Sequence, residues 1–222
     1  MAFNLKYIQH SKKGIRRDRN QDRSLIIAKK NYTLFMVFDG VSSRPDSYHF
    51  INKFKATFRN RIKNLDLKES NLNCILFEVH NDILKLKING SSTLSILFFN
   101  NKEGDAGFIN IGDSRIYHFN NQYLEQITVD DSLPGISNII TKYLGMEKLS
   151  LMDFALTPIN LKGDYLMCTD GFYGLMENNL KDYFFILNFK YLRNIKKYIL
   201  KIQRRKNEDD SSFIIIKNEI SI

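Results

Sequence analysis

The pattern of apolar and polar residues along the chain predicts strands first and then a pair of helices. Residues 3–8, 22–29 and 33–38 have the composition of strands, and the last of them is the continuous apolar run Thr33–Phe38. Two segments at roughly 46–65 and 70–88 follow, and their apolar residues recur at helical spacing. These two segments are therefore predicted to form consecutive amphipathic helices.

The remainder of the chain repeats this arrangement of clustered strands followed by paired helices. Strands are predicted at 92–100, 105–111, 114–119, 122–127, 153–158, 164–169 and 212–217, helices at 179–187 and 189–204, and 128–150 is poorly patterned. Clusters of strands without βαβ alternation favour an α+β fold over a doubly wound sheet. Two antiparallel sheets packed face to face, with helix pairs outside, would bury both apolar helical stripes. The prediction is a four-layer α-β-β-α sandwich.

The composition is that of a single soluble domain. The chain has 222 residues, of which 43% are hydrophobic, so it can bury a substantial core. No apolar run approaches the ~18 residues of a membrane span, and no apolar signal-peptide core precedes the first basic residues. We therefore expect a cytoplasmic protein without a membrane anchor. Cys74 and Cys168 lie far apart, and Cys168 belongs to an apolar run, so buried packing is its expected role.

The net charge of +9, from 33 Lys and Arg against 24 Asp and Glu, leaves several interpretations open. A basic protein can bind nucleic acid, but no recognised nucleic-acid module is present, and a Lys-rich composition can also be spread over solvated faces. A basic surface would equally suit an anionic, phosphorylated protein as substrate. Because no such module is present, nucleic acid is an unlikely partner, and the net charge alone identifies no other.

Five aspartates occupy the ends of predicted strands. Asp39 and Asp170 each follow an apolar strand and precede a glycine, while Asp22, Asp113 and Asp209 stand next to other strand ends. Each Asp-Gly alone is a common turn, but strand ends are rigid platforms on which carboxylates can converge. Several carboxylates in one cleft repel one another unless a cation joins them. A set of oxygen ligands indicates Mg²⁺ or Mn²⁺ rather than zinc.

The loop before Asp22 reads Gly14-Ile15-Arg16-Arg17-Asp18-Arg19-Asn20-Gln21. Arginine has a planar fork of donors that matches two phosphate oxygens. Alone, the loop would be read as a solvated basic segment, but beside a predicted metal site it indicates phosphate binding.

Six short segments, taken in order, resemble the metal-dependent protein phosphatases of the 2C family, particularly the compact bacterial type. They are Arg17-Asp18-Arg19-Asn20-Gln21-Asp22, Val37-Phe38-Asp39-Gly40, Gly90-Ser91-Ser92-Thr93-Leu94, Asn110-Ile111-Gly112-Asp113-Ser114-Arg115, Cys168-Thr169-Asp170-Gly171 and Asp209-Asp210-Ser211-Ser212. Each segment is weak alone, but together they run through essentially the whole chain in the order of the family. The resemblance implies one catalytic domain over residues 1–222, with the layered fold already predicted.

The resemblance also implies a site for two or three Mn²⁺ or Mg²⁺ ions. In it Asp39 would bridge two metals as a catalytic residue, the Gly40 carbonyl, Asp170 and Asp209 would complete their shells, Asp22 would bind through water, Asp113 would hold a third ion with Asp170, and Arg17 would be the catalytic, phosphate-binding arginine. The implied reaction is direct attack on phosphorus by a water that bridges the metals, without a covalent enzyme intermediate.

The sequence departs from the pattern of the family at several positions. Many members carry a histidine two residues after the bridging aspartate, and here that position is Val41, which leaves the proton donor for the leaving group unassigned. His49 lies on a predicted helix and is expected to be an ordinary histidine. Gln21 replaces an acid found in many members. The mobile flap of the family corresponds to 128–150, which is shorter here, with Asp131 where a histidine is common.

The preferred interpretation is therefore a monomeric serine/threonine protein phosphatase that opposes a serine/threonine kinase. A catalytically silent relative that only binds, and a basic nucleic-acid-binding protein, are the two alternatives. Retention of Asp39, Asp170 and Asp209 argues against the silent relative. Only the net charge supports the nucleic-acid-binding protein.

Overall fold

Two antiparallel five-stranded sheets pack face to face in the computed structural model, which describes residues 3–133, 136–159, 163–204 and 206–219. The strands are β1 Leu5–Lys12, β2 Arg23–Ala28, β3 Tyr32–Phe38, β4 Leu94–Asn100, β5 Asp105–Ile111, β6 Arg115–Phe119, β7 Leu124–Gln126, β8 Ser132–Leu133, β9 Ile136–Ile140, β10 Thr157–Pro158, β11 Asp164–Cys168 and β12 Ser211–Asn218. The helices are α1 Ser47–Arg61, α2 Glu69–Leu84, α3 Asp170–Glu177, α4 Leu180–Leu187 and α5 Leu192–Ile202, and a 3₁₀ helix spans Leu151–Phe154.

The strand order brings distant parts of the chain together. One sheet has the order β1-β12-β11-β6-β7, the other has the order β10-β5-β4-β3-β2, and β8 and β9 form a separate hairpin. The first and last strands pair directly, with Lys12 opposite Ser211 and Leu5 opposite Asn218. The loop after β1 therefore lies beside the segment that enters β12.

Alternation within the buried strands explains the four layers. Along β3, Phe35 and Val37 belong to the apolar core between the two sheets, whereas Leu34 and Met36 pack in the core beneath α1 and α2. A third core joins the other sheet to α3, α4 and α5. Because successive strand residues point to opposite faces, a strand covered on both sides is apolar throughout. The predicted α-β-β-α sandwich is confirmed, with three helices rather than a pair on one side.

One local prediction was wrong, and some elements were not predicted. The strand expected at 153–158 is the 3₁₀ helix followed by the two-residue β10, because the Asp153 carboxylate accepts the Ser150 amide proton at 2.8 Å and caps a helical turn. α3 was not predicted, since it has only 8 residues and glycines interrupt its apolar spacing. β9 lies within the stretch 128–150, which had no clear pattern.

None of the helices in the described parts of the chain is long and apolar enough to cross a membrane. Pro134 and Gly135, which the sequence places near the start of the flap, lie outside the described residues.

Candidate active site

Asp39 is the first residue after β3, and its backbone is fixed by Thr93. The Asp39 amide donates to Thr93 Oγ1 at 3.0 Å, and the Thr93 amide donates to the Asp39 carbonyl at 2.9 Å. The next residue, Gly40, forms a β-bridge with Ser92 and would place a Cβ 2.7 Å from that of Gln21. Glycine is therefore required at this close approach, and the Asp39 side chain is held in a fixed position.

Asp170 is the first residue of α3, directly after β11 and Thr169. Its carboxyl interacts electrostatically with that of Asp39. Burial, together with neighbouring carboxylates, raises the pKa of both side chains above the ordinary value. Two carboxyls can share a hydrogen bond only if one proton lies between them, or they can both ionise if a cation takes the place of that proton.

Asp22 lies deeper than Asp39 and has 1% of its surface exposed. Its Oδ2 accepts a hydrogen bond from the Thr169 hydroxyl at 2.8 Å, whereas its buried Oδ1 has no partner among the described residues. Burial raises the pKa of Asp22 to about 8, and the nearby carboxylates of Asp170 and Asp210 act in the same direction. Buried acceptors normally have a partner, so the Asp22 Oδ1 atom is suited to a water molecule or an ion.

Asp113 lies in the turn between β5 and β6. Its pKa is raised to about 7, mainly by burial and also by the charges of Asp170 and Asp130, while Arg115 acts in the opposite direction. The turn is anchored from both sides. Ser114 and Thr93 join their hydroxyls at 2.7 Å, and Arg115 forms a bidentate ion pair with Asp130 while its guanidinium stacks 3.7 Å from the Tyr173 ring centre.

Arg17 and Asp209 bind each other. Arg17 Nε donates to Asp209 Oδ1 at 2.5 Å, and Arg17 Nη2 donates to Asp209 Oδ2. This hydrogen bonding raises the pKa of the Arg17 guanidinium. The neighbouring Asp210 is buried and accepts the Gly14 and Gln21 amide protons at 2.9 and 2.7 Å, which holds the loop after β1 against the segment before β12.

One cavity of about 690 Å³ collects these groups. Six of the seven residues predicted from the sequence line it, namely Arg17, Asp39, Gly40, Asp113, Asp170 and Asp209. Asp22 lies behind them, joined to the site through Thr169. The remaining lining residues are Val41, Ser42, Ser43, Thr93, Arg115, Ile140, Tyr173 and Glu177.

The donor set of this cavity matches a hard divalent cation. It includes the carboxylates of Asp39, Asp113 and Asp170, whose pKa values are raised by burial and by neighbouring carboxylates. Asp22, behind them, adds a buried oxygen that has no partner among the described residues. Within the described residues, however, no three His, Cys, Asp or Glu side chains form a group ready to hold a metal. Asp209 offers a physical reason, because both of its oxygens are engaged by Arg17.

Sequence reasoning missed the hydroxyls that position the carboxylates. Thr93 supports Asp39, and Thr169 supports Asp22 while accepting the Ser212 amide proton at 3.0 Å. Both threonines belong to the six recognised segments, and this was the available indication. Asp210 was noted only as the neighbour of Asp209, yet it is the residue that ties the two chain segments together.

Neither a histidine nor a cysteine acts in this cavity as far as the described residues show. Val41 lines it, while His49 is exposed on α1. Cys168 is fully buried, and burial raises its pKa well above the ordinary value; Cys74 is exposed on α2. The predicted packing role of Cys168 agrees with this position. A thiolate nucleophile is absent from the cavity lining.

No protein-family model matches the sequence, and no curated protein matches it significantly. Solved structures do match. Stp1 from Staphylococcus aureus, a serine/threonine phosphatase, has a TM-score of 0.78 and 19% identity over 99% of this chain and 96% of its own. A serine/threonine phosphatase of S. agalactiae has a TM-score of 0.79 and 16% identity, over 97% and 100% of the two chains.

The catalytic domain of PstP, a serine/threonine protein phosphatase solved with two manganese ions, has a TM-score of 0.75 and 18% identity over 96% of this chain and 97% of its own. These likenesses span nearly the full length of both partners. The chain therefore has the fold of the bacterial metal-dependent serine/threonine phosphatases, as the sequence segments predicted.

Proposed function

We propose that this protein is a metal-dependent phosphatase that hydrolyses phosphoserine and phosphothreonine in proteins. The observation that carries the proposal is the convergence of Asp39, Asp113, Asp170 and Asp209 with Arg17 on one cavity of this fold. Burial and neighbouring carboxylates raise the pKa values of Asp39, Asp113 and Asp170. Such carboxylates next to an arginine fork are suited to binding cations and a phosphate together. Mn²⁺ or Mg²⁺ is the proposed cofactor, with two ions and a weaker third.

The residues have separate tasks in this proposal. Asp39, Asp170 and Asp209 would hold the metal pair, with the Gly40 carbonyl completing a shell. Asp22 would orient water through its free Oδ1, and Asp113 would serve the third ion. When bound, the ions would supply the positive charge that lowers the pKa of a water nucleophile and offsets the charge of the phosphate.

Arg17 would bind the phosphoryl oxygens through the same Nε and Nη2 donors that now hold Asp209. Its planar fork aligns the phosphorus within the cavity and stabilises the charge that develops on the oxygens. Thr93 keeps the Asp39 backbone in place during this exchange. The cavity lining contains no cysteine, which favours direct attack by water.

The proposed partner is a phosphorylated protein that a serine/threonine kinase supplies, and the proposed state is a cytoplasmic monomer with a shortened flap at 128–150. We expect hydrolysis of p-nitrophenyl phosphate and of a phosphothreonine peptide with Mn²⁺, its loss with EDTA, and its loss in Asp39→Ala. Absence of turnover with Mn²⁺ or Mg²⁺ would leave the catalytically silent binding module as the better account.

A further inference from the structure

A second cavity, of about 410 Å³, adjoins the candidate active site. It is lined by Arg16, Arg17, Asp18, Arg19, Gln21, Ser42, Pro45 and Tyr48. Arg17 and Ser42 line both cavities, so the two share a wall. Residues of an extended peptide are spaced by roughly 3.3–3.6 Å. A polypeptide with one side chain in the first cavity can therefore place a nearby side chain in the second.

The Tyr48 ring lines this second cavity and contacts two arginines, Arg19 in the lining and Arg23 beside it. The guanidinium carbons of Arg19 and Arg23 lie 4.5 and 4.3 Å from the centre of the Tyr48 ring. Stacking uses the face of a guanidinium and leaves its in-plane N–H donors available. Arg23 Nη1 donates hydrogen bonds to the backbone carbonyls of Asn20 and Asp22.

Two of the four arginines around this cavity have no carboxylate partner among the described residues. Arg16 pairs with Glu208 and Arg17 with Asp209, but neither Arg19 nor Arg23 forms an ion pair with any side chain in the described ranges. Asp18 is the one acidic residue of the lining. A stacked, unpaired and solvent-accessible guanidinium is a ready partner for an anion.

The charge continues along one face of α1. Tyr48, Asn52, Lys55 and Arg59 follow one another at helical spacing, so they form a single stripe. The pKa of Lys55 is lowered to about 8, mainly by burial and also by the charges of Arg59 and Arg23. Residues 47–65 contain no acid that could offset this stripe.

We propose that Arg19 and Arg23, stacked on Tyr48, form a subsite for an anionic side chain of the polypeptide substrate, next to the residue whose phosphate is removed. This inference rests on the proposed phosphatase function and adds a substrate class to it, namely phosphopeptides with an acidic or second phosphorylated residue near the scissile group. The concave shape and the wall shared with the active site favour one side chain of a peptide over an extended nucleic acid.

The test compares peptides that differ only beside one phosphothreonine, carrying glutamate, a second phosphothreonine, alanine or lysine on either side. The readout is the ratio of kcat/KM for the anionic peptide to that for the alanine peptide, which cancels any general loss of folded enzyme. In the wild type with Mn²⁺ we expect a ratio of roughly tenfold, the size of one charge-assisted hydrogen bond. A larger ratio for the second phosphate than for glutamate would identify phosphate as the better ligand.

Arg19→Ala should bring the ratio close to one, and Arg19→Glu should invert it in favour of the lysine peptide. Tyr48→Leu, which removes the stacking ring, should also lower the ratio. The matched control is Arg193→Ala. Arg193 is an exposed arginine on α5, and its guanidinium carbon lies 5.4 Å from the centre of the Tyr191 ring. Its loss should leave the ratio unchanged.

The two proposals fail separately. If the wild type hydrolyses p-nitrophenyl phosphate but the ratio is near one, or if Arg19→Glu leaves the ratio as in the wild type, the subsite is overturned and the phosphatase stands. If the wild type hydrolyses nothing, the phosphatase proposal is the one that fails.

Discussion

Arg17 and Asp209 form a bidentate ion pair across 192 residues of sequence. The first was predicted to bind phosphate and the second to bind metal, so each now occupies the other's binding groups. A carboxylate in the fork of an arginine has the same shape as two oxygens of a phosphate. When metal binds Asp209 and phosphate binds Arg17, the ion pair between these two residues would be replaced by two new ion pairs. Neither side chain would be left with an unpaired charge.

The fork geometry predicts that arginine is required at position 17. Arg17→Ala should lower kcat/KM for a phosphothreonine peptide by roughly 10²-fold, because the donors for the phosphoryl oxygens are lost. Arg17→Lys keeps the charge but not the two parallel donors, so it should recover only part of that loss. Steady-state kinetics with saturating Mn²⁺ measures both variants. An Arg17→Ala enzyme within threefold of the wild type would contradict a phosphate-binding role.

Asp39→Asn should separate activity from stability. Activity should fall by at least ~10³-fold, because the proposed bridging ligand is lost. Without metal, the Asp39→Asn protein should have a higher Tm than the wild type. Burial and neighbouring carboxylates raise the pKa of Asp39, so its ionised form is costly at neutral pH. For a domain of this size each kcal/mol corresponds to about 2–4 °C in Tm.

The measurement is thermal unfolding in EDTA and in Mn²⁺. Mn²⁺ should raise the Tm of the wild type more than that of Asp39→Asn. An equal Mn²⁺ shift in both proteins would show that Asp39 is not a metal ligand.

The metal-free protein should lose stability as pH rises. The folded-state pKa values of Asp22 and Asp113 are about 8 and about 7, against an ordinary value of 3.8, so between pH 4 and 8 the folded state holds protons that the unfolded state releases. The contribution of these groups to the free energy of unfolding therefore decreases across that range. Mn²⁺ should oppose the decrease, because its ligands must be deprotonated.

Urea unfolding at pH 5, 6, 7 and 8, with EDTA or with Mn²⁺, measures this effect. Asp22→Asn removes one of the two groups, so its stability in EDTA should decrease less with pH than that of the wild type. Parallel pH profiles for the two proteins in EDTA would rule out the contribution of Asp22.

Two glycines in α3 should respond to alanine in opposite ways. A Cβ on Gly171 would lie 2.0 Å from the Asp210 carbonyl oxygen, so Gly171→Ala must push α3 away from the segment before β12 and should cost both stability and activity. Gly174 has no atom within 4 Å of its Cβ position, and Gly174→Ala should stabilise the helix by about 0.5–1 kcal/mol. Urea unfolding of both variants is the test. A Gly171→Ala protein as stable as Gly174→Ala would refute the close contact.

Much of the fold could be predicted because apolar spacing is a local property. The run Thr33–Phe38 and the helical stripe of α1 needed only their own residues, and they are confirmed. α3 could not be read in the same way, because Gly171 and Gly174 stand within its 8 residues and weaken the pattern. The same local spacing predicted the ends of the strands that precede Asp39 and Asp170.

Contacts between residues that are far apart in the sequence could not be predicted from local patterns. The Arg17 and Asp209 pair depends on β1 lying beside β12, and the support of Asp22 by Thr169 depends on α3 lying beside the loop after β1. Register between distant strands is set by the packing of whole sheets, which no short segment contains. The residues of the site could therefore be predicted individually, but their partners required the structure.

β12 pairs with both β1 and β11, and the segment before it supplies Asp209 and Asp210. During synthesis, Arg17 and Asp39 are made well before β12. Contacts between such distant segments form slowly, because the intervening chain must first be ordered. The site is consequently incomplete until residues 209–218 have been made and docked.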